Sequence, residues 1–343
     1  MVHRAISVHL RDGEPARRRL VREGWLDTSL RPTTQGDRLY IPVLSKTPDD
    51  LDVGVGYDWV TAEFEERERK PTSLREAPSL PPELASEVTR SMDVIGDIAV
   101  LRLKDDIRPR ASEIGNALME VHPRLRAVAI DDGVHGELRV RSLTIVAGEG
   151  PLVTVHREHG MDLRVDLEQA YFSPRLATEH RRVADKVMPG ERVLDMFSGV
   201  GPFAVLVARL AQPSQVHAVD LNEVAVRLVE ENARSNGVGD LVTAHQGDAR
   251  AVVPDLGVFE RIIMNHPHGA LDFIDVALGA SASGTVIHLH LMGTPEESDE
   301  AAAEANQTAS GLGHEGVRVD LKREVRTYCP GVLHWCLDLT VLE

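Results

Sequence analysis

The chain has 343 residues, 42% hydrophobic and 27% charged, a globular balance with apolar material for two or three domains that excludes a disordered, collagen-like or coiled-coil chain. Its 38 basic and 54 acidic residues give a formal net charge of −16, which argues against indiscriminate nucleic-acid binding but allows a local basic surface. The most apolar run, Phe203 to Leu210, is broken by Arg209, the N-terminal Val2-His3-Arg4 has no signal-peptide pattern, and Cys329 and Cys336 are too few for a disulfide framework, so a cytoplasmic protein with structural cysteines is expected.

In chain order, the pattern predicts a strand from Ala5 to Leu10, a helix from Pro15 to Glu23 ended by Gly24, and a strand from Arg38 to Val43. Arg17, Arg18, Arg19 and Arg22 crowd on that helix, as either a solvated face or a phosphate-contacting module. From Phe64 to Glu83 the chain is charged and proline-rich, so 1–63 reads as an N-terminal α/β module and 64–90 as a linker. A middle α+β domain, 91–174, follows. It has strands Val94 to Leu103, Ala127 to Ile130 and Glu137 to Val146, a helix Ser112 to Val121, and a hairpin Leu152 to Leu167 turning at His159-Gly160.

In 175–343 strands alternate with helices, the signature of a doubly wound, mostly parallel sheet. The strands are Arg192 to Met196, Gln215 to Asp220, Leu241 to Gln246, Arg261 to Asn265 and Gly284 to Met292, with helices starting at Gly201, Glu223, Gly269 and Asp299. Val317 to Thr327 and His334 to Leu342 close the chain as an antiparallel edge. The expected fold class is α/β, a class I (Rossmann-like) domain of doubly wound, mostly parallel sheet with an antiparallel edge, preceded by smaller α+β domains.

The chemistry centres on Asp195-Met196-Phe197-Ser198-Gly199-Val200-Gly201-Pro202-Phe203-Ala204, a strand breaking into glycines that open a helix. Glycines let a ligand approach the backbone, and the helix start offers free N–H groups. Read as Gly-x-Gly-x-x-Ala with Asp220 downstream, the segment also fits a nicotinamide dinucleotide site. Asp195 moves the reading to S-adenosylmethionine, because a carboxylate before the glycine turn suits the cofactor's amino acid end and repels a pyrophosphate. Asp220, ending the second strand, suits the ribose hydroxyls, and Asp248, ending the third, suits the adenine amino group. Asn265-His266-Pro267-His268 ends the fourth strand, where Asn265 offers donor and acceptor and Pro267 stiffens the turn. The His-x-His pairs at His266/His268 and His288/His290 lack a Cys or clustered acid in the sequence, so no metal is expected.

These segments resemble the archaeal and eukaryotic tRNA guanine-37 N1-methyltransferases. Tyr171-Phe172-Ser173-Pro174-Arg175-Leu176-Ala177-Thr178-Glu179-His180 is similar to the family's block ahead of its cofactor loop, Asp195 to Phe203 to that loop, and Asn265 to Ala270 to its Asn-Leu-Pro-x-x-Ala turn, with His266 in place of the leucine. Arg139 falls where the family's substrate arginine precedes a Ser/Ala-Gly, and Val94 to Ile98 and Arg326-x-Tyr328-x-Pro330-Gly331 also match.

The resemblance implies Glu179 as general base and Arg139 as stabiliser of guanine O6, with Asn265 and Pro267 holding the base and Tyr171, Pro174 and Arg175 at the substrate. It implies S-adenosylmethionine on Asp195, Phe197, Gly199, Gly201, Asp220, Asn222, Asp248 and Asn265, and tRNA with guanosine at position 37 as partner of a monomeric enzyme. The first module would touch the tRNA's outer corner through Arg17, Arg18 and Arg22. The chemistry agrees, since methylating guanine N1 removes its proton while charge develops on O6. The rival readings are the related aminocarboxypropyltransferase acting on a wyosine precursor, a silent tRNA-binding protein on this fold and, more remotely, a nicotinamide dehydrogenase.

Overall fold

A computed structural model describes residues 2–67, 71–88, 92–136 and 138–343. The chain divides into two compact units, Met1–Thr72 and Ser73–Glu343. In the first, β1 (Val2–His9), β2 (Thr33–Gln35), β3 (Arg38–Pro42) and β4 (Asp58–Glu63) form an antiparallel sheet in the order β2-β3-β1-β4. Helix α1 (Gly13–Arg22) buries Ala16 and Leu20 in a core with Ile6, Val8 and Ile41. Its arginines point outward: Glu14 faces Arg17 at 3.7 Å and Arg18 at 2.9 Å, while Glu23 faces Arg19 and Arg22, both at 3.4 Å. Two acids thus face four guanidiniums, leaving net positive charge on the helix. β2 and β4 were not anticipated, because β2 is exposed throughout and β4 is only half-buried, so neither shows an apolar period.

The segment expected to be a linker is packed from Ser73 onward. Ala77 and Leu80, with Leu84 and Ala85 of α2 (Pro82–Glu87), are buried in one core with Ile114 and Leu118 of α3 (Ala111–Val121). Residues 68–70 and 89–90 of that linker, and the expected strand start Glu137, lie outside the described residues. The single strand expected from Val94 to Leu103 is a hairpin of β5 (Met92–Ile95) and β6 (Ile98–Leu101), turning at Gly96 with φ +57°. β6 pairs parallel with β7 (Ala127–His135), which pairs antiparallel with β8 (Val140–Gly148).

The hairpin of β9 (Val153–Glu158) and β10 (Met161–Asp166), assigned by sequence to the middle domain, joins the core of the larger sheet through Met161, Leu163 and Val165. It leads through Pro174–Leu176 into α4 (Ala177–Ala184). The remaining elements are β11 (Arg192–Asp195), α5 (Pro202–Leu210), β12 (Gln215–Asp220), α6 (Glu223–Ser235), β13 (Val242–Gln246), α7 (Ala249–Val252), β14 (Phe259–Met264), α8 (Ile274–Gly279), β15 (Ser281–Gly293), α9 (Pro295–Gly311), β16 (Val317–Cys329) and β17 (Val332–Val341). Buried Asn232 of α6 accepts from the Arg164 backbone N–H (2.7 Å) and donates to Val200 O (2.9 Å), tying β10 to the glycine loop.

The seven-stranded sheet has the order β13-β12-β11-β14-β15-β17-β16, parallel through β15 and antiparallel at β17 and β16. α5 and α6 pack on one face, and α8 and α9 on the other. α9 starts earlier than Asp299, because Thr294 and Glu297 form a reciprocal capping box with Pro295 in the first turn. Among the described residues no helix is long and apolar enough to cross a membrane. The chain reverses at β11, whose neighbours are β12 and β14, and a crevice opens there at the carboxyl ends of the strands.

The Gly96 turn locks the two sheets together. A β-carbon there would sit 2.0 Å from Thr154 Oγ1 and 2.6 Å from Val155 O. Gly96→Ala is therefore expected to destabilise the protein by about 1–3 kcal/mol, read as a lower urea midpoint at unchanged m.

Candidate active site

A cavity of about 780 Å³ occupies this crevice. Its walls come from the ends of β11, β12 and β14, from the turn before β8, from 171–176, and from β16 and β17. The glycine loop shapes one end: Gly199 (φ +52°) and Gly201 (φ +85°) adopt left-handed backbone, and Pro202 opens α5.

Two carboxylates stand at that end, Asp220 on the cavity wall and Asp195 off it. Asp195 is fully buried with neither oxygen in a formed hydrogen bond; burial, eased by the Phe197 and Ala204 amides and reinforced by the Asp220 charge, pushes it up to about 7. Asp220 accepts the Gly199 N–H (2.7 Å) and the Asn222 N–H (2.8 Å), yet burial still raises it. Neither has a basic ion-pair partner among the described residues, so this end is a hole for a cation. Asp248 caps α7 through the Arg250 N–H (2.8 Å) and lines the wall, as does Phe197, whose ring lies 5.1 Å from those of His266 and Phe273. This arrangement suits a cationic ligand with a ribose and a base.

The other end is basic and polar. The Asn265 Oδ1 is buried with no partner, and the turn behind it is fixed by the Met292 N–H donating to Pro267 O at 2.9 Å. Arg139, expected within a strand, instead holds φ +52° in the turn before β8. It lines the same cavity as Asn265, His266 and His268, and its charge, after burial, lowers both histidines. Tyr171 and Arg175 also line the cavity, Arg175 donating to Asp93 at 2.5 Å.

Residues 154–312 match the TRM5/TYW2 methyltransferase domain, 73–151 the TYW2 N-terminal domain and 5–52 the tRNA methyltransferase 5 N-terminal domain. The tRNA (guanine(37)-N(1))-methyltransferase Trm5b of Pyrococcus abyssi is 38% identical over 98% of this chain and 98% of its own. The chain belongs to the TRM5/TYW2 methyltransferase family. Within this family, the Pyrococcus horikoshii tRNA(Phe) (4-demethylwyosine(37)-C(7)) aminocarboxypropyltransferase is 29% identical over 77% of this chain and 94% of its own. The solved complex of aTrm5 and tRNALeu is 29% identical, with a TM-score of 0.76 covering 99% of both chains.

Five expected site residues of the larger unit lie off the cavity wall. Asp195 is fully buried, and Gly201 turns the loop into α5. Asn222 caps α6 at the Val224 N–H (2.9 Å) and donates to Gln169 O (2.6 Å), which leaves one N–H and one lone pair of its amide uncommitted. Pro174 opens the turn into α4. Glu179 is 1% exposed, with its carboxylate gripped by Arg182 (2.7 Å) and Arg323 (3.0 Å).

Sequence reasoning missed Arg141, Arg182, His334 and Asp338. Arg141 is buried between Asp131 (3.5 Å) and Asp93 (3.7 Å) and donates to Phe172 O (3.0 Å), bracing the Tyr171 segment. Arg182 was readable as the i+3 partner of Glu179. The acids and thiol thought absent from the His288/His290 pair do converge: Glu179, His290 and Cys336 form one group, and His288, Cys336 and Asp338 another. The cation among them is Arg182, whose Nη2 lies 2.7 Å from Glu179, 3.1 Å from Cys336 Sγ and 3.1 Å from Asp338.

Asp195 makes apoprotein stability depend on pH. Its folded-state value lies above the ordinary carboxylate value of about 4, so stability is full below that value and declines as pH rises through about 7. Asp195→Asn should melt higher than wild type above about pH 8, with the two curves converging near about pH 4.

Proposed function

We infer that this protein transfers the methyl group of S-adenosylmethionine to N1 of guanosine 37 in tRNA, next to the anticodon. The carrying observation is the full-length likeness to Trm5b, N-terminal domain included, combined with one cavity that is acidic at one end and lined by Arg139 and Asn265 at the other. The N-terminal match favours methyl transfer over aminocarboxypropyl transfer, because the aminocarboxypropyltransferase aligns with only 77% of this chain while 94% of its own length is matched.

The cavity fits the cofactor on its own terms. Asp195, buried and unpartnered, would receive the amino end, Asp220 the ribose, and Asp248 the adenine amino group, with the Gly199–Gly201 backbone and Phe197 completing the seat. When bound, S-adenosylmethionine supplies an electrophilic methyl on a sulfonium. Burial of two carboxylates without cations suits that positive charge and disfavours the pyrophosphate of a dinucleotide.

At the other end Asn265 Oδ1 accepts from the guanine edge, and Pro267 keeps the turn rigid. Arg139 neutralises the charge that develops on O6 as the N1 proton leaves. That proton is drawn toward Glu179, while Tyr171 and Arg175 frame the entrance. Arg17, Arg18 and Arg22 contact phosphates away from the anticodon.

Incubating a tRNA transcript bearing guanosine 37 with S-adenosylmethionine should add one methyl to that nucleoside by mass spectrometry, whereas an aminocarboxypropyl adduct on a wyosine precursor would reverse the reading. Glu179→Gln should slow single-turnover methylation on the order of 10²-fold with tRNA affinity intact, and Arg139→Ala should also slow it. A chain starting at Ser73 should bind full-length tRNA more weakly, with a salt slope flattened by about 0.7–0.9 per lost phosphate contact, while turning over a saturating anticodon stem-loop normally.

A further inference from the structure

Glu179 is not on the cavity wall. Glu179 is buried behind the cavity with both oxygens on guanidiniums, whereas His334 lines it. The β15–β17 register explains the placement. Met292 pairs with His334, His290 with Cys336 and His288 with Asp338, so alternate residues of both strands turn to one face. On that face His334 Nε2 lies 3.2 Å from His290 Nδ1, and His290 Nε2 lies 3.8 Å from Glu179 Oε1. The remaining ring nitrogen, His334 Nδ1, is buried with no hydrogen-bond partner. An unpartnered ring nitrogen on a wall residue, at the outer end of a row that ends on a carboxylate, calls for a partner from the cavity.

We propose that His334 takes the N1 proton of the target guanine and that His290 passes it inward to Glu179. This rests on the guanosine-37 reading above. His334 Nδ1 accepts the N1 proton, the Nε2 proton of His334 moves to His290 Nδ1, and the Nε2 proton of His290 moves to Glu179 Oε1. The electron pair left on N1 forms the new bond to the methyl carbon, and the pair of the broken carbon–sulfur bond stays on sulfur. One proton has then moved from base to carboxylate, and the sulfonium charge and the carboxylate charge have both gone. The 3.8 Å step shortens on substrate binding, as catalytic hydrogen bonds commonly do.

The surroundings keep both rings neutral between turnovers. Burial, then Arg326, lowers His334 to about 4, against the pull of Glu179. Burial, then His334, His288 and Arg182, holds His290 well below the imidazole range, so it conducts a proton without retaining it. The groups facing the pair are Glu179 and Arg182 from α4, His288 from β15, Arg323 and Arg326 from β16, Cys336 and Asp338 from β17, and His268 from the Asn265 turn. Cys336 lies 3.6 Å from His290 Nε2 and is pushed up by burial, so it stays a thiol.

The test is single-turnover methylation of the guanosine-37 transcript by the full chain. Wild-type rates in mixed H₂O and D₂O should give a bowed proton inventory, because several protons move together; a straight line, one proton in flight, overturns the relay. His334→Gln and His290→Gln should each slow the step on the order of 10²-fold with cofactor affinity unchanged by calorimetry. In both, log rate should climb with pH where wild type is flat, since hydroxide must then remove the proton. The Glu179→Gln/His334→Gln double variant should be no slower than its slower parent, and additive losses overturn a shared path. Wild-type rates and pH profiles in both histidine variants also overturn it. If the variants fold poorly, the wild-type inventory still decides. Absence of methyl at guanosine 37 from the wild-type chain is a different failure, that of the underlying reading, and involves no variant.

Discussion

The polar interior of the larger unit hangs on one cation, Arg182. Its guanidinium reaches Glu179 on its own helix and Asp338 on β17, with Cys336 between them. Burial works against its charge, but hydrogen bonds to the two carboxylates outweigh that and raise it further. Asp338 is held well below the carboxylate range, because contacts with His288, Arg182 and Lys186 overcome its burial. A buried network of this kind adds little net stability, yet losing one member costs about 3–5 kcal/mol because its partners stay behind uncompensated. What the network supplies is position: it fixes α4 on the sheet and sets Glu179 and the histidine row in register with the cavity.

The same polar seam continues away from the cavity. His288 lies 2.6 Å from Asp338 and 3.0 Å from Arg261, whose guanidinium pairs with Glu191 at 2.7 Å. The row of charged and imidazole groups therefore runs from the cavity wall beneath α4 to the opposite end of β14, flanked by the apolar core that α5 builds around Phe203. A polar row through an apolar layer is tolerated only where its members satisfy one another. Along it, the unsatisfied ring nitrogen belongs to His334, at the cavity end.

Charge in the cavity is sorted along its length. Asp195 and Asp220 have no cation paired with them and favour a positive ligand, whereas Arg139, Arg175 and Arg326 line the cavity elsewhere. In an acidic chain such local arginines are where an anionic ligand would be held on the function proposed above. His266, in place of the family's leucine, packs its ring at a tilt against Phe197, and burial and Arg139 lower its pKa, favouring the neutral form.

The sequence by itself determined the parallel sheet, the glycine loop, the acids at strand ends, the Asn-x-Pro turn and the family, because each is local: a period, a turn residue or a short motif. It misplaced what depends on distant partners. The supposed linker is core because Leu80 and Leu84 meet Ile114, and the supposed strand over Gly96 is a hairpin because β6 pairs with β7. Asn222, expected at the cofactor, also ties α6 to Gln169 O. Glu179, expected as the base, is surrounded by Arg182, Arg323 and His290, which only the fold brings to it. His290 and His334 lie 44 positions apart in the chain. Only the antiparallel register of β15 with β17 brings their rings together, and with a side-chain period of two, a one-residue slip would turn every member of that row to the opposite face.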